Sequence, residues 1–247
     1  MREIHSGAKY VEAINDRRSD RGARAAFQTL VLHLAAPGAT LFDFGSGPGI
    51  DVKFYADHGF TVGAYDVDPQ MCAFFAEYCR EHIDRGKVAL NTGSYADFLA
   101  SETLQHGRNV DLIVSNFAPL NLVDNLGELF RKFFAVTAPN GKILASMLSP
   151  YYLGDLRYGW WWSNALKLRR DGHFAVQGAV SNIVRRRLAD VARDAAPYFT
   201  LLGAWPGRPN KRSRAPGGTF APQRLRYTWL PLTTSRFMFL VLERRRR

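Results

Sequence analysis

The stretch Leu41-Phe42-Asp43-Phe44-Gly45-Ser46-Gly47-Pro48-Gly49-Ile50-Asp51 decides how this chain is read. A short, mostly apolar run bounded by turn residues reads as a buried parallel strand. Alternate glycines follow it, and they are expected to clear Cβ atoms from the path of a ligand approaching the backbone. A helix beginning at Gly49 would then direct its free N–H groups and positive dipole end at that ligand. Strand, tight turn and helix together are the geometry of a nucleotide site at the edge of a parallel sheet.

The glycine spacing limits which nucleotide. A dinucleotide fingerprint has its third glycine where this chain has Ile50. No Lys-Ser/Thr pair follows the turn, which rules out a phosphate-cradling P-loop. A carboxylate ligand would suit the helix end equally well. Asp66 ends the second predicted strand, Thr61 to Tyr65, about twenty residues after the first glycine, where an acidic group takes ribose hydroxyls. Asp68-Pro69 already supplies the cap and first position of the next helix, leaving Asp66 for a ligand.

Outward from this centre the pattern alternates. A helix over 20–35, capped by Ser19, carries a stripe of Ala23, Phe27, Leu30, Val31 and Leu34. After the second strand comes one helix with Cys72, Phe75, Ala76, Cys79 and Ile83 on a face, a spacing that argues against a disulfide or metal pair. Strands are expected at 88–91 and 110–115, and Pro139-Asn140-Gly141 turns into another at 142–148. Repeated βα units argue for a parallel sheet with helices on both faces. From Pro150 the composition changes: Tyr151, Tyr152, Tyr158, Trp160, Trp161, Trp162, His173 and Phe174 crowd one segment. We read it as an inserted aromatic cap with a short hairpin over 174–184. A helix at 186–196 and strands at 199–204 and 237–242 follow. The organisation is then an N-terminal helical segment (1–38), a nucleotide-binding core (39–149), a cap (150–184) and the rest of the core with a basic loop and tail (185–247).

The 247 residues carry a net charge of +11 and end in Arg244 to Arg247. Such a balance attracts anions generally without specifying nucleic acid. The N-terminal residues lack the apolar run of a signal peptide, and no run is long enough to span a bilayer. The expected setting is soluble and cytoplasmic, for a monomer or homodimer.

Phe42 to Gly49, then Val62-Gly63-Ala64-Tyr65-Asp66-Val67-Asp68-Pro69, then Val110 to Phe117, then Pro139 to Ile143, resemble in order and spacing the class I S-adenosylmethionine-dependent methyltransferases. The resemblance implies a Rossmann-like, seven-stranded, mostly parallel sheet, S-adenosylmethionine as cofactor and S-adenosylhomocysteine as product. It implies that Gly45, Ser46 and Gly47 lie against the methionine end, that Asp66 binds the ribose, and that Val67 packs the adenine. Ser94 falls where many relatives carry an acid near the adenine amine; Tyr95 or Asp97 would compensate. Asn116 and Phe117 would meet both cofactor and acceptor, and Tyr10 or Arg17 would close the site. The segment Ser115 to Asn121, followed by a cap, looks similar to bacterial methyltransferases acting on metabolites.

Methyl transfer from a sulfonium is an in-line displacement, so the main task is to hold the acceptor on the S–C axis. Asn116 or Asn121 would orient a nitrogen through its amide oxygen; bracing of a loop is the competing role for Asn116. Tyr151, Tyr152, Trp160 and Trp161 are candidates to line the acceptor pocket, and Asn116, Tyr151 and His173 to assist the chemistry. The proline at 119 departs from the Asp/Asn-Pro-Pro-aromatic tetrad of nucleic-acid base N-methyltransferases. The expected acceptor is a small aromatic or heteroaromatic metabolite, methylated on nitrogen or oxygen. An RNA acceptor using the basic loop 206–224 and the arginine tail is the alternative.

Overall fold

The computed structural model describes residues 18–102, 104–177, 182–206 and 234–246. Helix α1 (Arg18–Leu34) precedes β1 (Thr40–Phe44), α2 (Ile50–Asp57) and β2 (Thr61–Tyr65). Then come α3 (Pro69–Tyr78), α4 (Arg80–Asp84), β3 (Val88–Asn91), α5 (Tyr95–Ala100) and β4 (Val110–Ser115). A 3-10 turn at Pro119–Leu122 leads to α6 (Leu126–Val136) and β5 (Thr137–Leu148). The chain then makes a second 3-10 turn (Leu153–Asp155), α7 (Gly159–Asp171) and the hairpin β6 (His173–Gln177) and β7 (Asn182–Arg186). It closes with α8 (Leu188–Ala195), β8 (Phe199–Pro206) and β9 (Phe237–Arg244).

The main sheet has seven strands in the order β3-β2-β1-β4-β5-β9-β8. Strands β3, β2, β1, β4 and β5 pair in parallel, and β9 runs antiparallel to both β5 and β8. This is the α/β, mostly parallel sheet expected. Both faces are covered, so its strands are apolar on both sides. Along β9, Met238, Leu240 and Leu242 enter one core with α6 and α8. Phe237, Phe239 and Val241 enter the other, with α1 and α2. Phe27 of α1 meets Phe239 edge-on with ring centroids 5.4 Å apart.

Several expectations need correction. Arg18 is already helical, so Ser19 lies within helix α1 instead of capping it. The single helix through Cys72 and Ile83 is two helices, because Cys79 leaves helical geometry between them. Strand β5 starts at Thr137, before the Pro-Asn-Gly turn. That turn is a bulge within it: Val110 pairs Thr137, but Leu112 pairs Lys142. Asn140 takes a positive φ of 65° to make it. Tyr10, Arg17 and most of the basic loop 206–224 lie outside the described residues. No described helix is long and apolar enough to cross a membrane.

Candidate active site

The loop after β1 is fixed by β2. Gly45 N and Ser46 N both donate to Tyr65 O, at 2.8 and 3.0 Å. Gly47 N donates to Asp66 Oδ2 at 2.7 Å, and Asp68 N donates to Asp66 Oδ1 at 2.9 Å. Each carboxylate oxygen therefore keeps a lone pair for a further donor. Burial pushes the Asp66 carboxyl up, while the N–H groups of Asp68, Gly47 and Val67 hold it down.

The three glycines have different reasons, which corrects the expectation that all clear a ligand's path. A Cβ on Gly47 would meet nothing, so this residue faces open space. A Cβ on Gly49, where φ is +84°, would strike Phe75 Cδ2 at 2.7 Å and Cys79 Sγ at 2.9 Å. Gly49 thus lets α3 close on the loop, and a Cβ on Gly45 would collide with Pro119. Ser46 Oγ is buried without a partner beside Gly47. A buried polar atom left alone signals a missing ligand or water.

Opposite this loop the segment after β4 is strained. Phe117 and Ala118 both have positive φ, 61° and 71°. Non-glycine residues in this region mark positions that surrounding contacts over-determine. Here the contacts are explicit. Asn116 Oδ1 accepts from Phe117 N at 2.9 Å, and Asn116 Nδ2 donates to Asp51 Oδ2 at 3.1 Å. Arg24 of α1 pairs Asp51 at 2.8 Å and lies 4.6 Å above the Phe117 ring. Gln28 Nε2 donates to the other Asp51 oxygen, and Phe237 meets the Phe117 ring edge-on at 5.4 Å. Asn116 is thus bound into a brace at both ends of its amide. Arg24, Gln28 and Asp51 were not singled out from the sequence; their meeting is long-range, and only the first-turn acid on α2 gave a local sign.

Asp43 was also missed. It lies on the face of β1 that meets α1 and α2, with almost no exposure. Burial, then the Asp51 and Asp66 carboxylates, push its carboxyl well above the usual range, against the pull of Arg24.

The remaining candidates divide. Ser94 is an exposed helix cap: Asp97 N donates to its Oγ at 3.1 Å, and Ser94 N donates to Asp97 Oδ2 at 3.0 Å. That reciprocal box engages Ser94 and Asp97 with each other. Tyr95 stacks on Phe98, its hydroxyl buried without a partner. Val67 is 58% exposed, beside Asp66. Asn121 is fully enclosed, a correction to its expected place against an acceptor. Its Nδ2 donates to Val184 O at 2.6 Å, and its Oδ1 accepts from Leu148 N at 2.9 Å, joining β5 to the hairpin. His173 is exposed at the start of β6 with Nδ1 3.1 Å from Asp171 O, not enclosed with the aromatic residues.

Tyr151 and Tyr152 follow β5 and are half-buried. Burial pushes the Tyr151 hydroxyl up, so it stays a neutral phenol. Trp161 is half-buried and its Nε1 donates to Pro150 O at 2.9 Å, while Trp160 packs on Phe174 with centroids 6.0 Å apart. Trp162 points outward, 61% exposed.

Comparison with known proteins bears on the family and the fold. A family model described as a methyltransferase domain matches residues 16–187. No curated protein matches the sequence at a significant level. Among solved structures, an S-adenosylmethionine-dependent methyltransferase from Mesorhizobium loti superposes with a TM-score of 0.60 at 14% identity, covering 91% of this chain and 99% of its own. A 1,6-didemethyltoxoflavin-N1-methyltransferase from Burkholderia thailandensis, solved with 1,6-didemethyltoxoflavin and S-adenosylhomocysteine, gives 0.57 at 16% identity, covering 97% and 87%. The N-methyltransferase NodS from Bradyrhizobium japonicum, with S-adenosylhomocysteine, gives 0.58 at 12% identity, covering 95% and 91%.

Proposed function

Because this chain belongs to the methyltransferase-domain family, we propose that it transfers a methyl group from S-adenosylmethionine to a nitrogen or oxygen of a small aromatic or heteroaromatic metabolite. S-adenosylmethionine is its methyl donor, and the residues present fit it. The observation that carries this is the Asp66 carboxylate, held 2.7 Å from Gly47 N beside a glycine that faces open space. When bound, the cofactor supplies an electrophilic methyl on its sulfonium. Asp66 accepts the ribose hydroxyls with its remaining lone pairs. Ser46, whose Oγ lacks a partner beside Gly47, would line the same loop. Asn116 and Phe117, held by Asp51, Arg24 and Phe237, form the wall against which the acceptor is positioned.

Positioning is the main contribution asked of such a site. Tyr151 stays a neutral phenol, and His173 is exposed and not enclosed with the aromatic residues, so the proposed mechanism assigns a base role to neither. A nitrogen that arrives with a free lone pair needs none, which favours nitrogen over oxygen. The aromatic residues around Trp160 and Trp161 support a planar acceptor, and the didemethyltoxoflavin enzyme, of similar fold, methylates one.

Titration calorimetry with S-adenosylhomocysteine tests the donor half. Asp66→Ala should weaken binding by about 1.5–3 kcal/mol, the loss of hydrogen bonds to a charged acceptor. An unchanged affinity removes Asp66 from the site. The +11 charge supports the competing RNA reading. Transfer of radiolabelled methyl to RNA, falling steeply with salt, would favour it over a metabolite acceptor.

A further inference from the structure

We propose that the outer face of α7 docks the protein on an anionic lipid surface. The helix lies in the plane of that surface, with Tyr158, Trp162 and Leu166 toward the acyl region and Arg157, Lys167 and Arg169 toward the headgroups. This goes beyond the small-molecule reading above and does not depend on it.

A surface helix ordinarily turns a continuous apolar stripe toward its own protein. In α7 only Leu168 is buried. Larger apolar groups face outward instead. Trp162 is 61% and Leu166 77% exposed, and they lie one turn apart on the same face. Tyr158, the N-cap residue one turn earlier, is exposed too. With Leu153 just before them, these are half of the large apolar side chains exposed among the described residues. The other four, Leu32, Val67, Tyr78 and Leu122, are scattered through the chain.

Two features say what covers this row. The first is charge. Cations bracket it: Arg157, 4.8 Å from the Tyr158 ring, at one end, and Lys167, Arg169 and Arg170, lining a shallow groove with Leu166, at the other. Arg170 pairs Asp171 at 2.7 Å. Among the described residues no carboxylate pairs with Arg157, Lys167 or Arg169. The partner is therefore apolar in its middle and anionic around it, over the roughly 17 Å of helix from Tyr158 to Arg169. A second copy of this chain would set like charges against each other, at +11 on each. The second feature is the Trp162 indole. Its ring is exposed, yet its Nε1 donates to Leu156 O at 2.7 Å. The ring's one polar group is satisfied within the protein, so it enters an apolar medium without stranding a donor. Leu166 beside it has neither a hydrogen bond nor a flat ring to offer a nucleic acid, but it suits acyl chains. Long lysine and arginine stems carry their charges back to the headgroups while the helix lies flat. No described helix is long and apolar enough to cross a membrane, so this association is peripheral.

The test is co-sedimentation of the full chain with vesicles of equal parts phosphatidylglycerol and phosphatidylcholine, against vesicles of phosphatidylcholine alone. The anionic vesicles should bind about thirtyfold or more tightly, as for two cations at a charged interface. Net charge alone would give some of that preference, so the deciding variant keeps the charge. Trp162→Ser combined with Leu166→Ser should weaken binding to anionic vesicles about tenfold or more. Both side chains are exposed, so its melting temperature and S-adenosylhomocysteine affinity should match the parent's. Lys167→Gln combined with Arg169→Gln should remove most of the preference for anionic vesicles. Phosphatidylcholine brominated on its acyl chains should quench tryptophan emission in the parent and clearly less in Trp162→Phe. Equal binding to both vesicle types overturns the proposal, as does anionic binding that the serine variant leaves unchanged, which would be net charge acting alone. A parent that dimerises in sedimentation velocity, and that the serine variant makes monomeric, overturns it in favour of a second copy on this face. None of these readouts involves methyl transfer, so the small-molecule reading stands or falls separately.

Discussion

Two parts of the sheet's carboxyl edge, the one around β1 and β2 proposed as the donor half and the one around β5 and β7 proposed as the acceptor half, are held together differently. Around β1 and β2 the ties are largely backbone groups and short reaches: Gly47 to Asp66, nineteen residues apart, and Ser94 to Asp97, three apart. Around β5 and β7 they are buried side chains gripping distant carbonyls. Arg185 reaches Ser149 across 36 residues, and Asn121 and Arg186 reach Val184 and Val123 across 63. The loop after β1 is set by backbone groups and the Asp66 carboxylate, with Asp51 tying Asn116, Arg24 and Gln28 by side chains. The β5–β7 part depends on individual buried side chains.

The largest expected effect comes from breaking the acceptor half. Asp155→Ala leaves the Arg185 guanidinium buried without its counter-ion, and losing one partner of a buried pair costs about 3–5 kcal/mol. Denaturant unfolding should show that loss. A cost below about 1 kcal/mol would mean the pair is already solvated and that side chains do not hold this half together. In the donor half the corresponding breaks are to the backbone. Gly49→Ala forces a Cβ onto Phe75 and Cys79 at a φ of +84°, for about 2–4 kcal/mol of strain and overpacking. Gly47→Ala meets no atom and should cost only the left-handed strain of about 1–2 kcal/mol, while obstructing S-adenosylhomocysteine. If calorimetry shows both variants binding the cofactor product like the parent, Gly47 does not face the ligand.

The same contrast explains what the sequence could reveal. The glycine turn, Asp66 and the Asp68-Pro69 helix start are local patterns, although Pro119, Phe75 and Cys79 supply the reasons for Gly45 and Gly49, and the sheet follows from the alternation of strands and helices. Asn121 had the right chemistry for an acceptor contact, but its burial is decided by Val184 and Leu148, which no local pattern connects to it. His173 was attractive as a base in an aromatic segment, yet β-hairpin register turns its ring outward beside the buried Phe174. Arg24 and Asp51 belong to separate helices, and only the fold brings them 2.8 Å apart under Phe117.

Ser94 offers a smaller test of the boundary between structural and binding roles. Ser94→Ala removes the hydroxyl of a complete capping box and should cost about 1 kcal/mol. S-adenosylhomocysteine affinity should hold, since the hydroxyl is engaged with Asp97. A clear loss of affinity with unchanged stability would instead give Ser94 the adenine contact implied by its place in the chain.

The smallest effect expected is a gain, and it depends on pH. Asp43 is a carboxyl buried behind the glycine loop and raised well above its ordinary value of 3.8, chiefly by burial. The folded state therefore holds the proton more tightly than the unfolded chain does. Between the unfolded and folded values the native protein binds more protons, so stability falls as pH rises through that window. Asp43→Asn, which stays neutral, should then raise the melting temperature at pH 7. The difference should shrink as the pH is lowered toward 3.8, where the native carboxyl is protonated. A variant that melts lower than the parent at pH 7 would show that Arg24 stabilises the charged form more than burial penalises it. The charge would then be part of what holds the donor loop, and that half would depend on side chains as the acceptor half does.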